Sequence, residues 1–495
     1  MPPVLASCLC AVFVVWLLVR DVRQNPGVSH ALWIPLIWLL IIASRMPSEW
    51  FGGINMASGA AYLDGSPLDR NIFLALILAG AIVVLRRSVS WGSFTIGNRA
   101  ITLFFLFTFL SILWSDFPLV AFKRWHKVFG HVILVLVVLT DREPNLALTA
   151  LLRRCAYVLI PLSVLYIKYY PELGRGFDNW TGAAVNTGIT TNKNALGNLC
   201  LITGLFLLAM MFVGPKGKRF MTGLDRYIGV VFLFMIGWLL IMAQSSTALV
   251  STVLGASTIL GFRSAMFRRH VSGLLVTACV VVGLLLTLTN IKDSFIAGLG
   301  EDTTLTGRTD LWDDIQKIPT NSLVGVGFES FWLGERVETL WRKYWWRPNQ
   351  AHNGYYEMYL NLGWIGLLLQ GAMILSGYRK ARKQTLDARP PPEAALTRGL
   401  AEFRLAFLLA LVAYNVTDAT FKALHPSFFL FFLVSLEYCP ALVSAAVPSW
   451  RAEVSRNAPQ ASVPQPRSIA VAPVGHARCD RLKAGRPAWQ PRRLT

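Results

Sequence analysis

Apolar runs about as long as a bilayer crossing recur along the chain, near 4–19, 31–44, 71–85, 100–113, 127–140, 151–167, 194–213, 227–243, 247–262, 271–289, 354–376, 399–415 and 425–447. Short polar connectors separate them, and the pattern predicts an all-α polytopic membrane protein with about 12 (11–13) transmembrane helices. A few runs are short enough to be re-entrant or to be halves of one span. The ten-residue alternation of a membrane β-barrel is absent from the sequence. Arg86-Arg87, Lys216-Lys218-Arg219, Arg263-Arg268-Arg269 and Arg379-Lys380-Arg382-Lys383 fall on alternate connectors, which predicts that those connectors are cytoplasmic. The opposite set, 45–70, 168–193 and 290–353, is then exoplasmic. Residues 1–20 lack the basic start and the cleavage site of a signal peptide and read as a retained helix. The N-terminus lies outside if every run spans.

Composition supports this reading: 54% of residues are hydrophobic and 15% charged. The net charge of +20 would suit nucleic acid, but the basic residues sit in connectors. That placement fits topology and contact with anionic membrane lipid, so no nucleic-acid partner is expected. The seven cysteines are scattered, without metal or disulfide spacing. The organisation read from this is a membrane domain over 1–447, with one large loop, 290–353, inserted in it. A tail over 448–495 carries nine basic and two acidic residues from Ser449 onward and too few apolar ones to bury a core. It is expected to be disordered on the cytoplasmic face.

The 290–353 loop mixes nine acidic and seven basic residues. Thr309 or Asp310 could cap a short helix over 311–317, and Asn321 to Gly327 reads as a turn. Where the loop meets the next apolar run stands Ala351-His352-Asn353-Gly354-Tyr355-Tyr356-Glu357. An imidazole titrates near neutrality and can take a proton from a hydroxyl, and Asn353 and Glu357 could orient His352 or an acceptor. Taken alone, a His at a helix start is more often a cap. The cations on the same predicted face point further. Arg308 follows a glycine and offers a planar fork for phosphate, with a loop salt bridge as the plain alternative. Lys193 stands where an apolar helix opens, an end that favours anions, or else it snorkels. Arg124, beside Lys123, adds charge to that face. Trp312 and Trp332 could stack on sugar rings, although anchoring at the bilayer interface is the plainer account of the loop tryptophans.

In order along the chain, Ser111-Ile-Leu-Trp114-Ser115, Gly188-Ile-Thr-Thr-Asn-Lys193-Asn194-Ala-Leu-Gly197, Gln244-Ser-Ser-Thr-Ala-Leu249, Gly307-Arg308-Thr-Asp-Leu-Trp312, Val324-Gly-Val-Gly327-Phe-Glu-Ser and Ala351-His352-Asn353 to Gly363 resemble the superfamily of O-antigen ligases and Wzy-type polysaccharide polymerases. The likeness covers roughly 100–375 and is nearest to the ExoQ-like exopolysaccharide production proteins. It implies a GT-C-like helical bundle with one large periplasmic loop, in a bacterial inner membrane, with the active site facing the periplasm. The implied chemistry is cofactor-free, metal-independent glycosyl transfer from an undecaprenyl-diphosphate-linked oligosaccharide. Other polysaccharide-assembly membrane proteins are implied as partners. The residue matching His352 is taken as the base, and the one matching Arg308 holds the diphosphate. Many members carry Ser-Arg where this chain has Ser245-Ser246; that phosphate ligand is missing, and Lys193 is the substitute at hand. Repeat-unit polymerisation is the leading expectation. Ligation to lipid A–core or protein would look nearly the same, and a lipid-linked-oligosaccharide flippase is the competitor from another class.

Overall fold

The computed structural model describes residues 1–51, 65–87, 89–178, 182–212, 223–273, 308–387 and 392–438. It is mostly helical. Helices α1 (Pro3–Gln24), α2 (Trp33–Ile42), α3 (Pro67–Arg86), α4 (Arg99–Leu110), α5 (Pro118–Leu139) and α6 (Pro144–Tyr169) form the first half. Then come α7 (Lys193–Met211), α8 (Gly223–Ala243) and α9 (Ser246–Gly261). The loop helices α10 (Arg308–Gln316) and α11 (Glu335–Lys343) precede α12 (Gly354–Asp387), α13 (Pro392–Tyr414) and α14 (Pro426–Ser435). Two short strands, β1 (Arg175–Phe177) and β2 (Ala184–Asn186), pair antiparallel with Gly176 opposite Val185.

By length and composition, six of the described helices can cross a membrane: α1, α3, α6, α7, α8 and α12. The helix Trp91–Gly97 and the segment Arg99–Trp114 would make a seventh, bent by 98° at Asn98. The apolar run at 271–289 and the tail at 448–495 lie outside the described residues. Helix α7 is the axis of the second half, packing against α8, α9 and α13 and burying most of its length. Small residues permit the α7–α9 contact: a Cβ on Gly197 would fall 2.5 Å from that of Ala248. Helix α1, by contrast, presents Val4, Leu5, Leu9, Val12, Val15 and Val19 outward. An apolar helix exposed in this way is in its proper solvent only in lipid.

The connectors gather at two ends of the bundle. At one end Asp21 is buried between Arg153 and Arg154, Arg87 joins Asp141 at 3.2 Å, Arg263 pairs with Glu402, and Lys380 donates to Asn98 Oδ1 at 2.7 Å. At the other, the Ser7 and Tyr170 hydroxyls meet at 2.8 Å, and Arg45 donates to the carbonyls of Leu173 and Thr190. Helix α1 thus starts at the end where the connectors from 45, 168 and 308–353 converge and finishes at the basic one.

The loop helices cover their own small core of Leu311, Ile315, Phe331, Trp332, Val337 and Leu340. Helix α10 is already formed by Arg308, so Thr309 and Asp310 lie inside it and do not cap it from outside. The Asn321–Gly327 turn is present: Asn321 Oδ1 accepts from the amides of Leu323 and Val324, and Gly325 and Gly327 take φ of 65° and 102°. This turn enters a break in α12. Gly363, at φ 63° and ψ −163°, interrupts the helical ladder. The exposed groups are satisfied across the break: Gly327 N donates to Asn361 O at 2.9 Å, and Trp364 N donates to Ser322 O at 2.8 Å. A Cβ on either Gly363 or Gly325 would collide with the facing backbone.

Candidate functional site

The site is built where the loop runs into α12. Asn353 Oδ1 accepts from the amides of Tyr355 and Tyr356, both at 3.0 Å, so Asn353 caps the helix. Glu357, one turn in and buried, reaches back: Oε2 accepts from Ala351 N at 2.8 Å, and Oε1 accepts from Trp332 Nε1 at 2.8 Å. Trp312 Nε1 donates to Ala351 O at 2.7 Å. The residue before His352 is therefore held at both its N–H and its C=O. On the other side Gly354 N donates to Asn415 O at 2.7 Å, so closely that no Cβ fits at 354. Between these anchors His352 takes φ +51°, a left-handed conformation that costs a non-glycine residue on the order of 1–3 kcal/mol.

His352 opens onto a cavity of about 670 Å³ at the end of the bundle away from the buried Asp21–arginine cluster. Asp418 Oδ1 stands 4.0 Å from His352 Nδ1, and Gln350 Nε2 stands 3.3 Å from the same nitrogen. The Trp346 ring centroid is 6.4 Å from the imidazole. Lys193, Arg347 and Lys422 line the same cavity. A smaller cavity of about 190 Å³ adjoins it and shares Asn349 and Lys422 with it. Five non-glycine residues among those described have left-handed backbones, and four of them, Glu329, Arg347, His352 and Leu424, line these two cavities. Strain of that kind persists only where surrounding contacts enforce it, and it concentrates at working sites.

The structure thus brings His352 and Lys193 to one cavity. Lys193 Nζ is ion-paired with Asp178 at 2.7 Å, so its charge is shared with a carboxylate on the cavity wall. Arg124 lies in the smaller cavity, where it donates to the Glu329 carbonyl. Arg308 opens α10; its side chain, like Gly307, lies outside the described residues. Asn353, Glu357, Trp312 and Trp332 are engaged in holding the corner together. Trp332 is 2% exposed within the loop core, its indole N–H is taken by Glu357, and it lines the smaller cavity; Trp346 lines the larger one beside His352. Ser245 caps α9 and donates to Asn194 Oδ1 at 2.9 Å, which ties two of the family-like segments together.

Sequence reading missed Asp418, Lys422, Arg347 and Lys127. Asp418 and Lys422 lie in the polar corner 415–425, between the last two apolar runs. Loop parity puts this corner on the face of His352, and that was the signal to follow.

Residues 230–370 match the family model described as O-antigen ligase. The chain is similar to the O-antigen ligase family over that span. The match takes in Arg308, Trp312, Trp332, His352, Asn353 and Glu357 and stops short of Asp418 and Lys422. Over 373 residues, 72% of this chain and 82% of the relative, the chain is 26% identical to the exopolysaccharide production protein ExoQ of Rhizobium meliloti (strain 1021). The resemblance read from short motifs therefore extends over most of the chain, and it is a resemblance to a protein of exopolysaccharide production.

Proposed function

We propose that this chain is a glycosyltransferase of a bacterial inner membrane that polymerises undecaprenyl-diphosphate-linked repeat units at the periplasmic face. The observation that carries the reading is the cavity of about 670 Å³ in which His352, with Asp418 at 4.0 Å, shares a wall with Lys193, Arg347 and Lys422. In this account the shorter apolar helices cross the membrane too, giving about twelve spans in a GT-C-like bundle. The basic tail, 448–495, lies on the cytoplasmic side.

With Nδ1 turned toward Asp418, Nε2 is the nitrogen that takes the proton of the acceptor hydroxyl. The hydroxyl oxygen then bonds to C1 of the donor sugar. The C1–oxygen bond to the diphosphate breaks, and undecaprenyl diphosphate departs with that electron pair. Because the leaving group is already an anion, fixed cations and alignment supply most of the stabilisation. Lys193, Arg347 and Lys422 are the cavity-lining cations for that task, with Arg308 joining from the loop. The chemistry as written calls on no metal or other cofactor. The name of the matching family favours a second reading, ligation of a finished glycan to lipid A–core.

The test uses purified protein in nanodiscs, a lipid-diphosphate repeat unit, and chelator in one arm. A ladder of lengthening lipid-linked products supports polymerisation. Transfer to added lipid A–core without a ladder supports the ligase reading. With neither, the proposal fails.

A further inference from the structure

A second imidazole, that of His425, borders the larger cavity, on the same corner that carries Asp418 and Lys422. The start of α14 places it. Pro426 takes the first helical position, where a missing N–H leaves no bond unmade, and Leu424 turns the chain with φ +62°. His425 then caps the helix: the amide of Ser427 donates to His425 Nδ1 at 3.2 Å. A side-chain oxygen on Ser, Thr, Asn or Asp is the usual cap, and the imidazole does the same work with a nitrogen. A backbone N–H can only donate, so Nδ1 is the bare nitrogen. In the neutral ring the proton then sits on Nε2. Protonating the ring would set two donors against each other and undo the cap.

His425 Nε2 has no hydrogen bond to any described residue. Nor is it sealed inside the protein, as both nitrogens of His131 on α5 are. On a residue that lines the cavity, this N–H is a fixed donor open to what binds there. Lys422 borders the cavity three residues earlier, and so do the first turns of α7 and α14, ends that favour anions. Such a wall suits oxygens that only accept, and those of a diphosphate do only that. We propose that His425 is a substrate-binding residue of this site, its Nε2–H donating to a diphosphate oxygen of the lipid-linked donor. This rests on the reading that the chain uses such a donor. Being neutral, the ring adds a directed bond where the lysines and the arginine add charge, and the bond is already aimed before the leaving group departs.

The experiment measures binding, so that it stands apart from the transfer assay. Full-length protein in nanodiscs is titrated with undecaprenyl diphosphate, which carries no sugar, and with undecaprenol, which carries no phosphate. The amide oxygen of Asn can take the place of Nδ1, so His425→Asn keeps the cap and loses the cavity donor. It should melt near wild type and bind the diphosphate lipid on the order of 10- to 100-fold more weakly, the scale of a lost hydrogen bond to a charged group. Undecaprenol binding should not change. His425→Gln, whose amide N–H reaches about as far as Nε2, should lose the cap and melt earlier, yet retain most of the diphosphate affinity. Undiminished diphosphate affinity in His425→Asn would overturn the proposal. A loss in His425→Gln as large as that in His425→Asn would reduce the residue to a helix cap and overturn it too. An equal loss for undecaprenol would do the same, because the group recognised would then be the lipid. If wild type binds the diphosphate lipid no better than undecaprenol, the donor reading itself falls, and this proposal with it.

Discussion

His352 has a strained backbone, and its neighbours are what keep it there. Glu357 is the clearest case, because its two oxygens satisfy the Ala351 amide and the Trp332 indole in a buried setting. Replacing it with Ala leaves two buried donors unpaired, at about 1–3 kcal/mol each. Glu357→Ala should therefore lower the thermal midpoint and abolish transfer together, whereas Glu357→Gln, which can still accept one of these bonds, should lose less stability. Asp418 should behave differently. Its carboxylate accepts from the buried amide of Ala419 at 2.9 Å, a bond that the Asn side-chain oxygen can keep, so Asp418→Asn should leave the melting temperature near that of wild type and lower kcat at least about 10-fold with little change in KM. Parallel melting and rate measurements separate the two. His352 could be read in the sequence because its polar environment is local. Asp418 could not, because it reaches His352 only through the fold, on a corner 66 residues further along. Asn353 and Glu357 were legible as belonging to the site, but their task, capping and tethering, depends on where the Ala351 amide and the Trp332 indole end up.

At the scale of elements, the loop is held by the break in α12. The turn at 321–327 substitutes for the hydrogen bonds that Gly363 interrupts, and Trp114 Nε1, Ser111 Oγ and Ser115 Oγ reach the same loop from the end of α4 and the residues after it. Three of the family-like segments, at 111–115, 324–330 and 361–363, are thus one staple. Their spacing showed that they matter; only the packing shows that they are structural. Gly363→Ala should cost about 1–3 kcal/mol for the left-handed backbone alone and more for the collision with Leu323. The expected outcome is an earlier unfolding transition and faster proteolysis within 308–353; an unchanged transition would contradict the staple. A second tie joins α10 to α11. Asp314 accepts from Lys343, Tyr344 and Lys317, which hold its carboxyl well below the usual carboxylate range. A depressed folded-state pKa gives support that is complete above the ordinary Asp value, near 4, and lost as pH falls through the depressed one. Protease sensitivity of the loop should therefore stay flat from neutral pH down to about 5 and rise only in stronger acid.

For the molecule as a whole, the account depends on two ends that differ. One carries basic connectors around buried ion pairs. The other carries the cavities, the loop and the start of α1. The hydropathy pattern made the helices legible, and the charge pattern made their alternation legible. It could not show that the connectors near 45, 170–193, 346–352 and 415–425 close over one space, because that follows from how α7 packs among its neighbours. Sidedness can be read with a cysteine probe. Ser330, a natural choice in the loop, is 0% exposed, whereas Trp345 is 72% exposed. A cysteine at 345 should react with an impermeant reagent added from the periplasmic side of intact spheroplasts; reaction only after the membrane is opened would invert the orientation. The most direct test of the central claim is glycan transfer by His352→Ala, measured in nanodiscs from a lipid-diphosphate donor, with donor binding followed in the same samples. A lost general base predicts a fall of about 10²–10⁴-fold in turnover with donor affinity retained. Turnover close to wild type would contradict the account, because the cavity would then be doing its chemistry without the residue around which it is built.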